Sequence, residues 1–397
     1  MITKAEVLRG PFDPGGQPET RSGNPLEMGF FAWNIQGGMT ASKAVLSDPD
    51  RYQTFWHWPN ASEMVKEAER VGFEYQVPFA RWIGQGGPTR YNDASLDGLS
   101  AAAALSPITS DLGLFSTCHI TFKFHPLHFA KFGATIDHIS GGRWGLNIVA
   151  GYAAREMAAF GMKEPIPHDE GYEMADEFTT LMKYLWTTDG KIDFEGKYYQ
   201  AYGAEVEPKP TRKPRPVIMS AGNSPVGLDF GCRQSDWVFL TGSTLDTYKS
   251  RIKEVSDLSA RYGRSVRPST MIYVILDDTD EKANSTLEWL EEEVDKVAMA
   301  NFLDSMKSNS LRDEYKIEEE AESDPWHGVD RETFMRLAMG ISAWQIVGSY
   351  ETAAMQIKEL HDIGLESLLF CFLDPARGLQ QTEEHLMPIL KRMGLRN

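Results

Sequence analysis

Leu112-Gly-Leu-Phe-Ser-Thr-Cys118 and Arg143-Trp-Gly-Leu-Asn-Ile-Val149, with the Pro126 to Gly141-Gly142 segment between them, decide the fold. The outer segments are short apolar runs with the composition of buried strands. The middle segment, opened by Pro126 and closed by two glycines, has the length and punctuation of a helix. Strand, helix, strand in that order is one βαβ unit of a parallel sheet. Thr117 and Asn147 fall near the carboxyl ends of its two strands. Ligands of α/β sheets bind at that end, whether the sheet is closed or open. These two side chains therefore mark where chemistry is to be sought.

Outward from this unit the alternation repeats. Apolar runs at Met28–Trp33, Phe73–Phe79, Pro216–Ser220, Asp236–Gly242, Met271–Leu276 and Ser367–Leu373 bring the strand count to eight. Helices are expected between them. The first has Asn60 as N-cap with Glu63 three residues on, then Met64, Val65, Ala68 and Val71 at helical intervals, and Gly72 as its stop. Others are expected near Ala94–Leu105, Tyr172–Trp186, Leu245–Tyr262 and Gln380–Met393. Eight such units predict the α/β class, as a (β/α)8 TIM barrel. Residues 1–26, rich in Gly and Pro, read as an extended N-terminal arm, and residues 27–397 as a single barrel domain. Residues about 281–345 are too long for one barrel helix and carry the acidic runs Glu291-Glu-Glu293 and Glu318-Glu-Glu-Ala-Glu322. They read as an inserted helical segment late in the chain, with solvated acidic faces and a mobile lid among them.

The chain has 397 residues and a formal charge of −17, which argues against nucleic acid or an anionic membrane as a partner. Its three cysteines, Cys118, Cys232 and Cys371, lie far apart with no CxxC spacing, as expected of a reducing cytoplasm and not of a zinc site. No apolar run approaches a membrane span, and the first residues lack a signal-peptide core. The expectation is a cytoplasmic enzyme or binding protein.

Several side chains can carry chemistry. Ala221-Gly-Asn-Ser-Pro-Val-Gly227 joins a strand to a helix. Its small residues would let backbone N–H groups approach a phosphate at the helix start, although a plain turn with Ser224 as N-cap reads equally well. Asn147 is an amide inside an apolar strand and must find hydrogen-bond partners, from a ligand or from a neighbouring loop. Thr117 is also an ordinary strand former. His119, Lys123, His125 and His128 follow the third strand without an intervening carboxylate, so they read as a basic rim and no metal site is expected. Arg81 and Trp82 can join that rim. Glu156 and Tyr172 can serve the site or merely cap and pack. Trp33, Trp56, His57 and Trp58 make the first long loop aromatic, which suits a flat or apolar part of a substrate.

Ala134-Thr-Ile-Asp-His-Ile-Ser-Gly-Gly-Arg-Trp-Gly-Leu-Asn-Ile-Val-Ala-Gly151 resembles the bacterial-luciferase-like flavin monooxygenases, as do His168-Asp-Glu-Gly-Tyr172, Ala175-Asp-Glu-Phe178 and Ala221-Gly-Asn-Ser224. The resemblance runs from about residue 28 to the C-terminus, diverging over 281–345, and is strongest to the pyrimidine oxygenase and dimethyl-sulfone monooxygenase branch. It implies a barrel that takes FMNH2 from a separate flavin reductase and uses O2 to oxygenate a small organic substrate, such as an N-heterocycle, amide, sulfone or sulfonate. It implies further that Asn147 and Thr117 flank the flavin N5 edge and the oxygen pocket. Ala80, Arg81 and Glu156 would line the flavin, with Gly171, Tyr172 and Ser224 at its phosphate. Trp33, Phe79, His119 and Lys123 are then the candidates for the substrate pocket, and a homodimer or homotetramer is expected. The pyrimidine oxygenase places a Met and a Lys where Phe79 and Arg81 stand here. An Arg does not reproduce Lys geometry, so uracil is disfavoured. Tyr152 stands where the family more often has Trp. Two rivals share the barrel: an F420-dependent oxidoreductase and a non-catalytic flavin-binding protein.

Overall fold

A computed structural model describes residues 12–151, 153–305 and 330–397. Eleven strands occur among the described residues. They are β1 (Glu27–Phe31), β2 (Tyr75–Val77), β3 (Gly113–His119), β4 (Trp144–Val149), β5 (Ile192–Glu195), β6 (Gln200–Ala204), β7 (Val217–Ser220), β8 (Trp237–Leu240), β9 (Arg267–Asp277), β10 (Trp344–Ser349) and β11 (Ser367–Phe372). The fold is a (β/α)8 barrel, with β1, β2, β3, β4, β7, β8, β9 and β11 as its eight staves. These are the eight strands that the apolar runs predict. By density of contact the chain divides into two units. One holds the arm to Arg21, Gly98–Phe239 and Lys253–Pro268; the other holds Ser22–Asp97, Leu240–Ile252 and Ser269–Asn397.

In the first unit, β3 and β4 run parallel with Thr117 directly opposite Asn147, and β4 runs parallel to β7 with Asn147 opposite Met219. Side chains alternate across a strand, and the contacts show which face is which. Trp144 donates its indole N–H to Ser116 Oγ at 3.0 Å, and Ser116 Oγ donates to the carbonyl of Gly98 at 2.9 Å, so Trp144 and Ser116 face helices. The Pro126–Ser140 helix lies flush on that face because Gly133 has no side chain: a Cβ there would sit 2.3 Å from the Trp144 ring. Thr117 and Asn147 therefore face the other way. One layer below them, towards the strand starts, Phe115 fills the space left by Gly145 and meets Trp237 at 6.1 Å between ring centres. Arg267 in turn lies 4.6 Å from the centre of the Trp237 ring. This layer lies beneath the Thr117–Asn147 pair.

The Pro126–Ser140 helix starts and stops as its punctuation predicts, with His125 as N-cap and Gly141 in the left-handed conformation at φ 69°. The helix expected at Tyr172–Trp186 begins earlier, at His168, because Asp169 and Glu170 suit the positive end of a helix. The one expected near Ala94–Leu105 is confined to Gly98–Leu105. An antiparallel hairpin, β5–β6, is an addition to the sequence reading. It is held by the Glu177 carboxylate, which accepts the backbone N–H groups of Lys197 and Tyr198, both at 2.8 Å.

In the second unit, β1 runs parallel between β2 and β11, and β9 pairs in parallel with both β11 and β10. The first long helix spans Trp58–Val71 with His57 as N-cap, so Asn60 is not its cap. A proline in the first turn, which needs no N–H there, opens the helix, and the Asn60 amide donates to the carbonyl of Thr54 at 3.1 Å. Gly72, at φ 104°, ends the helix as expected. The inserted region contains the helices Asp280–Glu292, Lys296–Ser305 and Arg331–Ala338 and then β10. Its second acidic run and the centre of the expected lid, residues 306–329, lie outside the described residues. The closing helical stretch consists of Pro375–Gln381, a π-helical turn at Thr382–Leu386, and Met387–Arg392. Among the described residues no helix is long and apolar enough to cross a membrane.

Candidate functional site

The β3–β4 register sets the centre of the site in the first unit. Asn147 donates from Nδ2 to Thr117 Oγ1 at 3.2 Å. Its carbonyl oxygen, Oδ1, is buried and has no hydrogen-bond partner, and the residue is only 6% exposed. A buried amide oxygen left without a donor is costly. The arrangement suits a ligand N–H delivered to this face of the sheet.

One step further along the same face of β3 is His119, the last residue of the strand. Its Nδ1 lies 3.5 Å from Glu156 Oε2, with the two side chains 4% and 1% exposed. Glu156 comes from the first turn of the short Ala154–Ala159 helix, which follows β4. The loop entering that helix is held against the loop after β3, where Thr121 Oγ1 donates to the carbonyl of Ala150. Gly151 makes this approach possible, at φ 95° with a would-be Cβ 2.6 Å from Thr121 Oγ1.

A second group of site residues gathers where β7 leads into the Pro225–Gln234 helix. Ser224 is the N-cap and accepts the backbone N–H of Gly227 at 3.1 Å, as the plainer sequence reading has it. It is more than a cap, since its side chain lies close enough to the Tyr172 phenol to favour the ionised form, against the larger effect of burial. Burial pushes the Tyr172 hydroxyl up to about 12, so it stays protonated and able to donate near neutral pH. Gly222 and Gly227 seat that hydroxyl: a Cβ on either would lie 2.4 Å or 2.7 Å from it. Gly171 is buried one residue before Tyr172, and a Cβ there would meet only the methyls of Thr121 and Ile166 at 4.0 Å. Two hydroxyls, small residues and a helix start form an arrangement suited to a phosphate. The seating role of Gly222 and Gly227 escapes sequence reasoning, which marks both only as small.

The remaining candidates are placed differently. Lys123 is an exposed residue at φ 62° whose ammonium group reaches the carbonyl of Gly161 at 3.3 Å. His125 is spent as a helix cap, accepting from Leu127 N–H, with its other nitrogen 3.0 Å from the Gln200 carbonyl. His128 stacks on Phe132. Of the histidines expected at a basic rim, His119 is the buried one, and its neighbour is a carboxylate. The described residues hold no group of three or more His, Cys, Asp or Glu arranged to take a metal. Tyr152 lies outside the described residues.

In the second unit, Asn34 clamps the end of β2, accepting from Phe79 N–H at 2.8 Å and donating to the Phe79 and Leu96 carbonyls at 2.9 and 2.8 Å. The clamp sets Phe79 and Ala80, both half-buried, and Arg81, which is buried. The Arg81 guanidinium lies 5.2 Å from the centre of the Phe79 ring. Trp33 is fully buried, and its indole N–H is donated to Gln76 Oε1 at 2.8 Å, so its part in a pocket would be as an apolar wall. Trp58 is exposed at the first turn of its helix.

Comparison with known proteins adds the relationship. The pyrimidine monooxygenase RutA of Bradyrhizobium sp. (strain BTAi1) is 31% identical over 343 residues, covering 83% of this chain and 88% of that one. The FMNH(2)-dependent dimethylsulfone monooxygenase of Pseudomonas putida is 27% identical over 371 residues, covering 93% and 96%. Among solved structures, riboflavin lyase (RcaE), determined with modified FMN and riboflavin, superposes with a TM-score of 0.78 at 21% identity, over 94% of this chain and 92% of that one. The family model described as luciferase-like monooxygenase matches residues 27–367, and the chain belongs to that family.

Proposed function

We propose that the protein is a two-component monooxygenase that takes reduced FMN from a separate flavin reductase and uses O2 to oxygenate a small organic substrate. The family membership and the two named relatives support this reading. The observation that carries it is the Asn147 carbonyl, buried without a partner beside Thr117 at the carboxyl ends of β3 and β4. An N–H on the edge of a flavin ring would supply the missing donor. Thr117 accepts from Asn147, which turns its own O–H away from the amide. Tyr172 and Ser224 would hold the phosphate, with Gly171 allowing its approach. Glu156 in the first unit would line the ring, and Ala80 and Arg81 are the second unit's candidates for that role. When bound, the reduced flavin supplies the electrons that activate O2. The protein's part is to orient the ring, exclude water and present donors where negative charge develops. His119 beside Glu156 can hold a proton near that point.

The substrate reading is an N-heterocycle, amide, sulfone or sulfonate, with His119 in the first unit and Trp33 and Phe79 in the second as the candidate contacts. Lys123, on its exposed turn, is at most at the rim. One barrel domain preceded by the arm, a cytoplasmic location and a homodimer or homotetramer complete the proposal. The test supplies the purified chain with FMN, NADH and an independent flavin reductase under 18O2, over a panel of those four substrate classes. One 18O atom is expected in product, and only when the reductase is present. NAD(P)H oxidation by this chain alone, with tightly held FMN, would contradict the two-component reading.

A further inference from the structure

The opposite ends of the strands in the first unit carry a group of charges for which the flavin reading has no use. Arg215 stands just before β7, Asp236 just before β8 and Arg264 just before β9, and Lys183 reaches them from the His168–Thr187 helix. The side chains of Lys183 and Arg215 are fully buried, and that of Arg264 is 3% exposed. Asp236 engages Arg215 through both its oxygens, at 2.7 and 2.9 Å. Three basic groups against this one carboxylate leave an excess of positive charge inside the protein.

The missing counter-charge comes from the N-terminal arm. Asp13 Oδ1 accepts from Lys183 Nζ at 2.9 Å and from Arg215 Nη2 and Nε at 2.6 and 3.1 Å, while Oδ2 accepts from Arg264 Nε at 2.7 Å. The donors do not depend on Asp13 for their placement. Lys183 also donates to Gln234 Oε1 at 3.1 Å, Arg264 to the Cys232 carbonyl at 3.0 Å, and Arg215 is fixed by Asp236. Apart from Asp13, no side chain of Phe12–Arg21 meets more than one of these cations, and the other attachments are single hydrogen bonds and a ring contact. Gln17 exchanges hydrogen bonds with Ser265, both at 2.9 Å, and donates to Asp236 Oδ1 at 3.0 Å; Arg267 donates to the Thr20 carbonyl at 2.8 Å and Arg212 to that of Glu19; and Phe12 rests edge-on against Tyr184. A buried basic cluster with preset donors and an excess of positive charge is a receptor for a carboxylate.

We propose that Lys183, Arg215 and Arg264 form a carboxylate-binding site, filled by the protein's own Asp13, and that the Phe12–Arg21 arm is a strap anchored by that side chain. With the Asp13 carboxylate removed, the site should accept a small free carboxylate in its place. The inference is independent of the flavin chemistry, because it concerns the amino-terminal ends of the strands.

Chemical rescue tests it on the full chain. Asp13→Gly should lower the Tm by about 5 °C, since it strands buried cations. Sodium acetate should restore most of that loss, saturably and well beyond sodium chloride at equal ionic strength, and should do nothing comparable to the wild type. Adding Arg264→Gln should abolish the rescue. An unchanged Tm in Asp13→Gly, or acetate acting no better than chloride, would overturn the proposal. Should Asp13→Gly not fold, Asp13→Asn is read by trypsin cleavage after the exposed Arg21. Cleavage at least fivefold faster than in the wild type is expected, and equal rates would refute the anchor.

Discussion

Asn147 Nδ2 lies 3.2 Å from Thr117 Oγ1, in register across two parallel strands and thirty residues apart in sequence. The bond uses one end of the amide and leaves the other end, Oδ1, buried without a donor. Since Ser116 and Trp144, the outward-facing neighbours, are both engaged on the helix side, the pair can only address the inner face above the Phe115–Trp237 layer.

Tyr172 and Ser224 should govern the affinity for reduced FMN. Loss of one hydrogen bond to a charged group is worth about 1.5–3 kcal/mol, hence roughly 10- to 150-fold in Kd. Anaerobic titration of Ser224→Ala and Tyr172→Phe with reduced FMN reads this directly. Wild-type affinity in both variants would remove them from the phosphate site.

Gly227 gives a prediction of opposite sign to helix propensity. Alanine is favoured over glycine inside a helix by about 1 kcal/mol, yet a Cβ at Gly227 would sit 2.7 Å from the Tyr172 hydroxyl and 2.9 Å from Gly222 Cα. Gly227→Ala should therefore destabilise the protein, by about 1–3 kcal/mol as overpacking does, and weaken reduced-FMN binding with it. Thermal melts and the same titration check both effects, and a raised Tm would show that Tyr172 is not seated there.

Acid should weaken the amino-terminal end of the first unit. Burial alone would raise the Asp236 carboxyl, but Arg215, then Arg264 and Lys183, hold it down from 3.8 to about 2. A depressed carboxyl stabilises the fold fully above its unfolded value, and that contribution is lost as pH falls from about 4 towards 2. Denaturant melts between pH 5 and pH 2.5 should lose about 2 kcal/mol from this group, and Asp236→Asn, already weakened at neutral pH, should show a flatter acid limb. Parallel limbs in the two proteins would contradict the assignment.

Much of this architecture is legible in the residues. Eight apolar runs separated by Gly and Pro punctuation give the eight staves, and Gly72 and Gly141 stop the helices they follow. The β5–β6 hairpin is short, and only the buried–exposed alternation of Ile192-Asp-Phe-Glu195 signals it. β10 hides at the edge of the insertion. Helix starts at Trp58 and His168 precede the expected ones because first-turn Pro, Asp and Glu residues outweigh later capping patterns. Within the site, the Thr117–Asn147 pair follows from strand position alone. The pairing of His119 with Glu156 and the approach of Tyr172 to Ser224 join residues far apart in sequence, and no local period encodes them. The same holds for Asp13, whose cation partners lie 170 to 251 residues away and whose own neighbourhood reads as an unstructured arm.

The account rests on Asn147 and Thr117 meeting the reacting end of the flavin and not its phosphate. The direct measurement is product formed per reduced FMN consumed, with hydrogen peroxide quantified alongside, in Asn147→Ala and Thr117→Ala. A preorganised donor aimed at developing charge is typically worth about 3–4 kcal/mol, so coupling should fall at least tenfold, with peroxide replacing product, while affinity for reduced FMN stays within about threefold of wild type. Wild-type coupling in both variants would make the pair structural and contradict the proposed site.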